Sequence, residues 1–224
     1  PLEGVTQIDV VQQMLEMAKG QRGEPGIFSR AAARATAPDR RTPCDFGTNP
    51  CGEIVLRPFQ FCNLSIAVAR HDDTYDSLRD KVEVATIIGT IQSMATHFPG
   101  LRQIWQLQCE EERLLGVDIN GQLDSPVASD ADNQAMLKQV AIETNARMAT
   151  MLGINQSASV TCVKPSGNSS QLLDCSSGIH PRWSKFYIRN VRVSAHSPVY
   201  KVLRDAGVPM DPENGQTVDD ATTW

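Results

Sequence analysis

Two long helical patterns constrain the fold of this chain more than any other feature. The first runs from Ser77 to His97, where a wide apolar stripe recurs at helical spacing: Val82, Ala85, Ile88, Ile91, Met94 and Ala95. We expect this stripe to face the core. The second pattern spans residues 130–153 (DADNQAMLKQVAIETNARMATMLG), and Gly153 is well placed to end it in a left-handed conformation.

Three shorter helices are predicted beside these two. The first is capped by Asp9 and closed by Gly20, with apolar residues at helical spacing between them. The other two cover residues 101–115 and 197–206. Helix is therefore the predominant secondary structure that the sequence predicts.

Strand and turn signals lie between the helices. The segment GEPGIF (23–28) is typical of a turn, because glycine and proline interrupt regular structure. Alternating and β-branched residues predict short strands over 157–163 and 185–193. Helices with strands between them indicate an α/β fold, and we find no repeat or clear linker. We therefore expect a single domain, or part of one, over residues 1–224.

Composition and charge exclude several classes of protein. Hydrophobic residues make up 41% of the chain and charged residues 21%, which is typical of a globular protein. The net charge of -5 argues against nucleic-acid binding, and no apolar run is long enough to span a membrane. Six cysteines without a secretion signal favour reduced thiols and a cytoplasmic location. The chain starts at Pro1 without a methionine, so we expect a fragment of a longer protein.

The stretch TNPCGEIVLRPFQFCNLS (48–65) concentrates groups that carry chemistry. Cys51 lies between a proline and a glycine, where an irregular loop can present its thiol. A buried, inert cysteine is the alternative interpretation. Glu53 favours chemistry, because a carboxylate in an apolar loop is costly to bury; we expect a raised proton affinity and a role as a base. Asn49 can hold a substrate hydroxyl, and Cys62 supplies a second thiol.

Two other cysteine chemistries are weaker hypotheses. A zinc site lacks the required spacing, since the chain has no C-x-x-C pair and its four histidines are scattered. We therefore expect no metal site. A cysteine hydrolase needs a histidine partner, and none is indicated by its sequence context.

A second candidate site is the stretch KPSGNSSQLLDCSSGIHPR (164–182). Small residues lead into a helical turn here, so backbone amides and a helix start can together hold an anion. The side chains of Ser166, Asn168 and Ser169 add donors, and Lys164 adds positive charge. An ordinary strand-to-helix turn with a capping residue explains the same pattern. The spacing is not that of a P-loop.

Together these motifs resemble the catalytic subunit of ribonucleotide reductases. The main match is NPCGE (49–53) with CNLS (62–65) eleven residues beyond Cys51. Four further stretches support the match over nearly the whole chain: GEPGIF (23–28), GTIQSMATHFPGLR (89–102), EEERLLGVDINGQLDSP (110–126) and KPSGNSSQLLDCSSGIHPR (164–182). Pro50 together with Gly52 resembles the pattern of the adenosylcobalamin-dependent, class II branch, because the iron- or manganese-dependent branch usually has leucine at the position of Pro50.

The resemblance implies a fold and a set of roles. The fold would be part of a ten-stranded α/β barrel with Cys51 on a central finger loop. Cys51 would become a thiyl radical that removes hydrogen from C3′ of a ribonucleotide, Glu53 would take the 3′-hydroxyl proton, and Asn49 would position the sugar hydroxyls. Cys62 and a second cysteine would supply the reducing electrons and end as a disulfide. The substrate phosphates would bind a loop of five residues: Pro165, Ser166, Gly167, Asn168 and Ser169.

The resemblance also implies partners that the chain alone does not hold. They are adenosylcobalamin, a ribonucleoside di- or triphosphate, and a thioredoxin-type or dithiol reductant. The sites for dNTP and ATP effectors would precede Pro1, and so would the redox partner of Cys62. Cys44, Cys109, Cys162 and Cys175 do not match that partner's position. We therefore expect the 224 residues to be inactive alone.

Three alternatives stay open. A class I reductase would need a second, metal-containing subunit. A glycyl-radical enzyme shares the barrel and the finger-loop cysteine, but it needs a C-terminal glycine-radical motif. A degenerate, phage-type fragment would have a structural or regulatory role, and the intact set of Asn49, Cys51, Glu53 and Cys62 argues against it.

Overall fold

The computed structural model describes residues 6–20 and 26–224, which form two compact units. One unit extends to Arg182 and the other runs from Trp183 to Trp224. The helices are α1 (Gln7–Gly20), α2 (Arg30–Ala35), α3 (Tyr75–Gln92), α4 (Gln103–Glu112), α5 (Pro126–Ser129), α6 (Ala131–Leu152), α7 (Ser169–Leu172) and α8 (Pro198–Asp205). The strands are β1 (Gly47–Thr48), β2 (Val55–Leu56), β3 (Asn63–Val68) and β4 (Leu115–Asn120).

The centre of the first unit is a parallel pair of strands. β3 pairs with β4 in register from Asn63 opposite Leu115 to Val68 opposite Asn120. α3 and α4 form the crossover that a parallel connection requires. On the other side of β4, Thr161 forms a parallel bridge with Val117. The strand predicted over 157–163 is thus reduced to this single bridge and its neighbouring backbone hydrogen bonds.

The sequence patterns did not reveal β3 or β4. Five of the six residues of β4 are buried, because helices cover one face and the loop between β1 and β2 covers the other. Burial on both faces removes the alternation that marks a half-buried strand. The helix predicted over 101–115 therefore ends earlier, with Arg113 as its left-handed cap, and Leu115 already belongs to β4.

The apolar stripe predicted on α3 is only partly correct. Val82 and Ala85 are buried, but Ile88, Ile91 and Met94 are exposed. The core-facing side instead carries small residues, because α3 lies close against β4. A Cβ atom added to Gly89 would lie 2.5 Å from Cδ2 of Leu115. The close approach therefore selects glycine, alanine and threonine over isoleucine.

The long helix α6 agrees with its prediction, and α1 differs in its first turn. Gly153 has φ of +66° and caps α6 as expected. Asp9 is not the cap of α1, since the helix begins at Gln7; its carboxylate instead accepts hydrogen bonds from the backbone N–H and hydroxyl of Thr6. The turn predicted over 23–28 lies in part outside the described residues, at 23–25.

The second unit contains α8 and one antiparallel bridge. Ser194 pairs with Thr223, and Val193 exchanges two backbone hydrogen bonds with Trp224. The strand predicted over 185–193 is wrong, because these residues form no strand. Alternating hydrophobic residues form a strand only where a neighbouring strand offers backbone hydrogen bonds. Within the described residues, 6–20 and 26–224, no helix is both long enough and apolar enough to cross a membrane.

Candidate active site

The cysteine-containing loop is the tip of a short hairpin. β1 and β2 pair antiparallel, with Thr48 opposite Val55. Asn49 shapes the loop between them: its Oδ1 accepts from the backbone N–H of Ile54 at 3.0 Å, and its carbonyl accepts from that of Gly52 at 3.0 Å. Gly52 has φ of +80°, which L side chains rarely adopt. Cys51 is consequently held at the exposed tip of a defined turn.

Glu53 turns inward from the same loop. Its side chain is 1% exposed, and its Oε1 lies 3.3 Å from Nζ of Lys164. Its Oε2 has no hydrogen-bond partner among the described residues. Burial raises the pKa of Glu53, but the Asn49 side chain, the backbone and Lys164 outweigh it, so the pKa lies below its ordinary value. The expected raised proton affinity is therefore wrong, because the loop itself supplies hydrogen bonds to the carboxylate and Lys164 adds a positive charge that the sequence does not reveal.

Cys62 directly precedes β3 and is half-buried. It packs with Leu56, Leu64 and Cys162 against a small apolar cluster of Ile54, Leu114 and Ala158. Burial raises the pKa of the Cys62 thiol, and the charge of Glu53 adds to the rise. The thiol is therefore protonated at neutral pH.

Cys162 lies two residues before the second candidate stretch and packs against the same cluster. Burial raises the pKa of its thiol to about 12, with Asp118 and Glu53 contributing. β4 lies between the segment of Cys162 and β3, so the two cysteine backbones are two strand spacings apart, roughly 10 Å. A disulfide needs Cα atoms within about 7 Å, so Cys162 cannot bridge to Cys62 in this arrangement. All six cysteines are free thiols.

The predicted phosphate loop is closed by its own hydrogen bonds. Gly167 has φ of +56°, and the backbone N–H and hydroxyl of Ser169 both donate to the carbonyl of Ser166. The Ser166 hydroxyl lies 2.7 Å from that of Ser177, which joins this loop to the following one. α7, which follows, is only four residues long. The ammonium of Lys164, which was expected to add positive charge to this loop, pairs with Glu53 of the hairpin.

The two candidate stretches therefore meet in the structure. Glu53 and Lys164 are separated by 111 positions and form an ion pair. The sequence patterns missed two residues of β4, Asp118 and Asn120, whose side chains both accept hydrogen bonds from the second stretch. Asp118 accepts from the N–H of Lys164 at 3.0 Å, and Asn120 accepts from that of Gly178 at 3.1 Å. The available sequence signal was their spacing, since two polar residues two positions apart within an apolar segment lie on the same face of a strand.

No group of three or more histidine, cysteine, aspartate or glutamate side chains suited to a metal ion occurs in the described part of the chain. The two loops meet over β4: the hairpin contacts Gly116, and the second stretch bonds Asp118 and Asn120 toward the carboxyl end of the strand. Ligand sites are common at such carboxyl ends in α/β folds.

Comparison with known proteins identifies relatives of the same kind. The chain is 26% identical to a putative adenosylcobalamin-dependent ribonucleoside-triphosphate reductase of Mycobacterium phage D29, over 78% of this chain and 27% of that protein. It is 26% identical to the adenosylcobalamin-dependent ribonucleoside-triphosphate reductase of Euglena gracilis, over 85% and 27%. The resemblance to ribonucleotide reductases is confirmed. No family model matches the chain.

The fold agrees with these reductase relatives. A crystal structure of a B12-dependent, class II ribonucleotide reductase superimposes with a TM-score of 0.65 at 20% identity, over 90% of this chain and 33% of that one. The α/β character predicted for the chain is therefore correct. The chain spans about a third or less of the length of the reductases that it matches.

Proposed function

We propose that this chain carries part of the active site of an adenosylcobalamin-dependent ribonucleotide reductase, which reduces ribonucleotides to 2′-deoxyribonucleotides. The observation that carries the proposal is the ion pair between Glu53 and Lys164. It joins the loop that holds the thiol to the loop that would hold phosphate, so that one substrate can contact both. The names of the relatives support the same reaction.

Each residue of the hairpin has a role that fits its position. Cys51, exposed at the tip, removes the hydrogen atom from C3′ as a thiyl radical. Glu53 is ionised at neutral pH because its pKa is lowered, so it can take the 3′-hydroxyl proton. The Oδ1 atom of Asn49 accepts from the loop backbone and its amide group also donates to Glu53, so a remaining amide N–H can position the sugar hydroxyls.

Reduction is completed by thiols. The 2′-hydroxyl leaves as water, and Cys62 with a second cysteine gives up two electrons and two protons as the pair becomes a disulfide. Cys162 is excluded as that partner by its distance across β4. An external dithiol, of thioredoxin type, returns the disulfide to thiols.

Adenosylcobalamin, when bound, supplies the radical that oxidises the Cys51 thiol. The residues around this thiol fit such a group, because the tip is open. A Cβ atom added at Gly52 would have no atom within 4 Å, and Cys51 itself is exposed. The protein would contribute orientation and the exclusion of water.

The substrate is a ribonucleoside di- or triphosphate whose phosphates bind the loop of Pro165, Ser166, Gly167, Asn168 and Ser169. In the complete protein this chain would form part of a ten-stranded barrel with the hairpin as its finger loop, within a single catalytic domain. Effector nucleotides would bind elsewhere in that protein. We expect the 224 residues alone to be inactive.

The test is nucleotide reduction by the full-length protein that contains this chain, with adenosylcobalamin and a dithiol but without a second subunit. We expect deoxynucleotide formation that is abolished by Cys51→Ser and retained by Cys44→Ser, a cysteine outside the hairpin loop. Turnover only after addition of a metal-containing subunit would instead indicate the class I reaction. Turnover in the Cys51→Ser variant would overturn the assignment of the thiyl residue.

A further inference from the structure

A second buried carboxylate lies beneath the proposed base. Asp118 is 1% exposed and lies in the middle of β4. Side chains alternate along a strand, so Asp118 shares the face of Gly116. That face is the one that contacts the hairpin, since a Cβ atom added to Gly116 would lie 3.0 Å from Cδ1 of Ile54. Asp118 therefore points away from α3 and toward the candidate site.

One oxygen of this carboxylate has a defined structural task. Oδ1 accepts the backbone N–H of Lys164 at 3.0 Å, which fixes the first residue of the phosphate-loop stretch. The ammonium of the same lysine lies 3.3 Å from Oε1 of Glu53. One lysine thus connects the two carboxylates, by its backbone to Asp118 and by its side chain to Glu53.

The second oxygen is not explained by the fold. Oδ2 of Asp118 is buried and has no hydrogen-bond partner among the described residues, and the same is true of Oε2 of Glu53. A buried carboxylate with one unpaired oxygen is destabilising, and an amide or an apolar residue would avoid that cost. Such a residue is better explained by the effect of its charge on its neighbours.

We propose that Asp118 is a positioning residue of the active site, which holds Lys164 against Glu53 and, when ionised, strengthens Glu53 as a base. The catalytic consequence rests on the function proposed above. Negative charge on Asp118 disfavours a second negative charge nearby, so Glu53 binds a proton more readily when Asp118 is ionised.

The charged and titratable groups around Asp118 come from two segments. Glu53 faces it from the hairpin, and Lys164 and Cys162 face it from the segment beyond Thr161. Burial raises the pKa of Asp118 to about 6, Glu53 adds to the rise, and Lys164 opposes it. Asp118 therefore gains its charge as the pH rises through about 6, and the base is strengthened over that interval.

The first experiment follows the carboxyl groups directly, without turnover. Carbon-13 NMR of the 224-residue protein, labelled at the aspartate and glutamate carboxyls, would be recorded against pH. We expect one aspartate to titrate near pH 6 and to disappear in Asp118→Asn. In Glu53→Gln the same aspartate should titrate at lower pH, because the charge of Glu53 raises the pKa of Asp118 and the coupling between two titrating groups is mutual. Asp73→Asn, a matched buried carboxylate paired with Lys81, should leave the titration of Asp118 unchanged. A wild-type protein with no aspartate titrating near pH 6, or an Asp118 titration that is unchanged in Glu53→Gln, would overturn the proposal.

The second experiment measures turnover of the full-length protein against pH. Asp118→Asn keeps an acceptor for Lys164 but loses the charge, so we expect kcat at pH 8 to fall roughly three- to tenfold, and its rise near pH 6 to disappear. KM should stay within about twofold of wild type, whereas a purely structural role would raise it. A wild-type pH profile in Asp118→Asn would refute the catalytic consequence. Absence of turnover in every variant, with the NMR coupling intact, would refute the proposed function alone.

Discussion

The hairpin that carries Cys51 is anchored by a buried ionic network, and breaking this network gives a sharp prediction. The Arg41 guanidinium lies 3.0 Å from Oε2 of Glu112, and both side chains are 3% exposed. The Glu112 carboxylate also accepts hydrogen bonds from the Arg57 guanidinium at 3.3 Å and from the side-chain amide of Gln60 at 2.6 Å. Arg57 and Gln60 directly follow β2, so the network fixes the base of the hairpin.

The substitution Glu112→Gln keeps the size of the side chain and removes its charge. Arg41 is then left as a buried cation without a compensating charge. Removing one partner of a buried ion pair destabilises a protein by about 3–5 kcal/mol, because the remaining charge is desolvated and unpaired. We expect a loss near the lower limit, since glutamine can still accept one of the hydrogen bonds.

Urea unfolding of the 224-residue protein, followed by circular dichroism, measures this loss. The slope against urea should be unchanged and the midpoint lowered. The adjacent residue gives a matched control: Glu111 also pairs with Arg57, but its side chain is 58% exposed, so Glu111→Gln should lose less than about 1 kcal/mol. Equal losses in the two variants would refute the importance of burial in this argument.

Two further substitutions test the strand beneath the site. The raised pKa of Asp118 means that the folded wild-type protein loses stability as the pH rises from 3.8 to about 6. Asp118→Asn removes this loss, so between pH 3.5 and pH 7.5 its stability relative to wild type should improve by about 3 kcal/mol in urea titrations. Asp73→Asn should show the opposite sign, because the pKa of Asp73 is lowered; a pH-independent difference for Asp118→Asn would contradict the reasoning. Gly116→Ala would place its Cβ atom 2.5 Å from Cδ2 of Leu64, so we expect a loss of about 1–3 kcal/mol in thermal or urea unfolding. Gly47→Ala, which has nothing within 4 Å, is its control, and an equal effect at the two glycines would show that packing over β4 is looser than this geometry.

Local patterns predicted the elements whose signals are short-range. α6 and its cap at Gly153 follow from helical spacing and from one glycine with positive φ. The prediction of α8 succeeds for the same reason, since a serine cap and a closing glycine bound it. The strand predicted over 185–193 failed because a strand needs a partner, and the pattern of one segment does not supply it.

The sequence also indicated which groups are candidates for the chemistry. Asn49, Cys51, Glu53 and Cys62 were identified by residue type and spacing, and their catalytic roles stay predictions. Reductase relatives confirm the resemblance that these motifs indicate. Spacing suffices here because a thiol, a carboxylate and an amide in one short loop are necessarily close in space.

Only the tertiary structure decided the surroundings of that loop and the direction of its pKa shifts. Burial raises the pKa of Glu53, but hydrogen bonds from the Asn49 side chain and the backbone, and Lys164 from 111 positions away, together lower it further than burial raises it. Asp118 contacts the second stretch through its hydrogen bond with Lys164, and the sequence patterns missed it because burial on both faces conceals β4. Helical spacing, caps and motifs act over a few residues, whereas desolvation and ion pairing depend on which distant segments pack together. For that reason the sequence indicated the candidate groups, and the fold determined their surroundings and the direction of their pKa shifts.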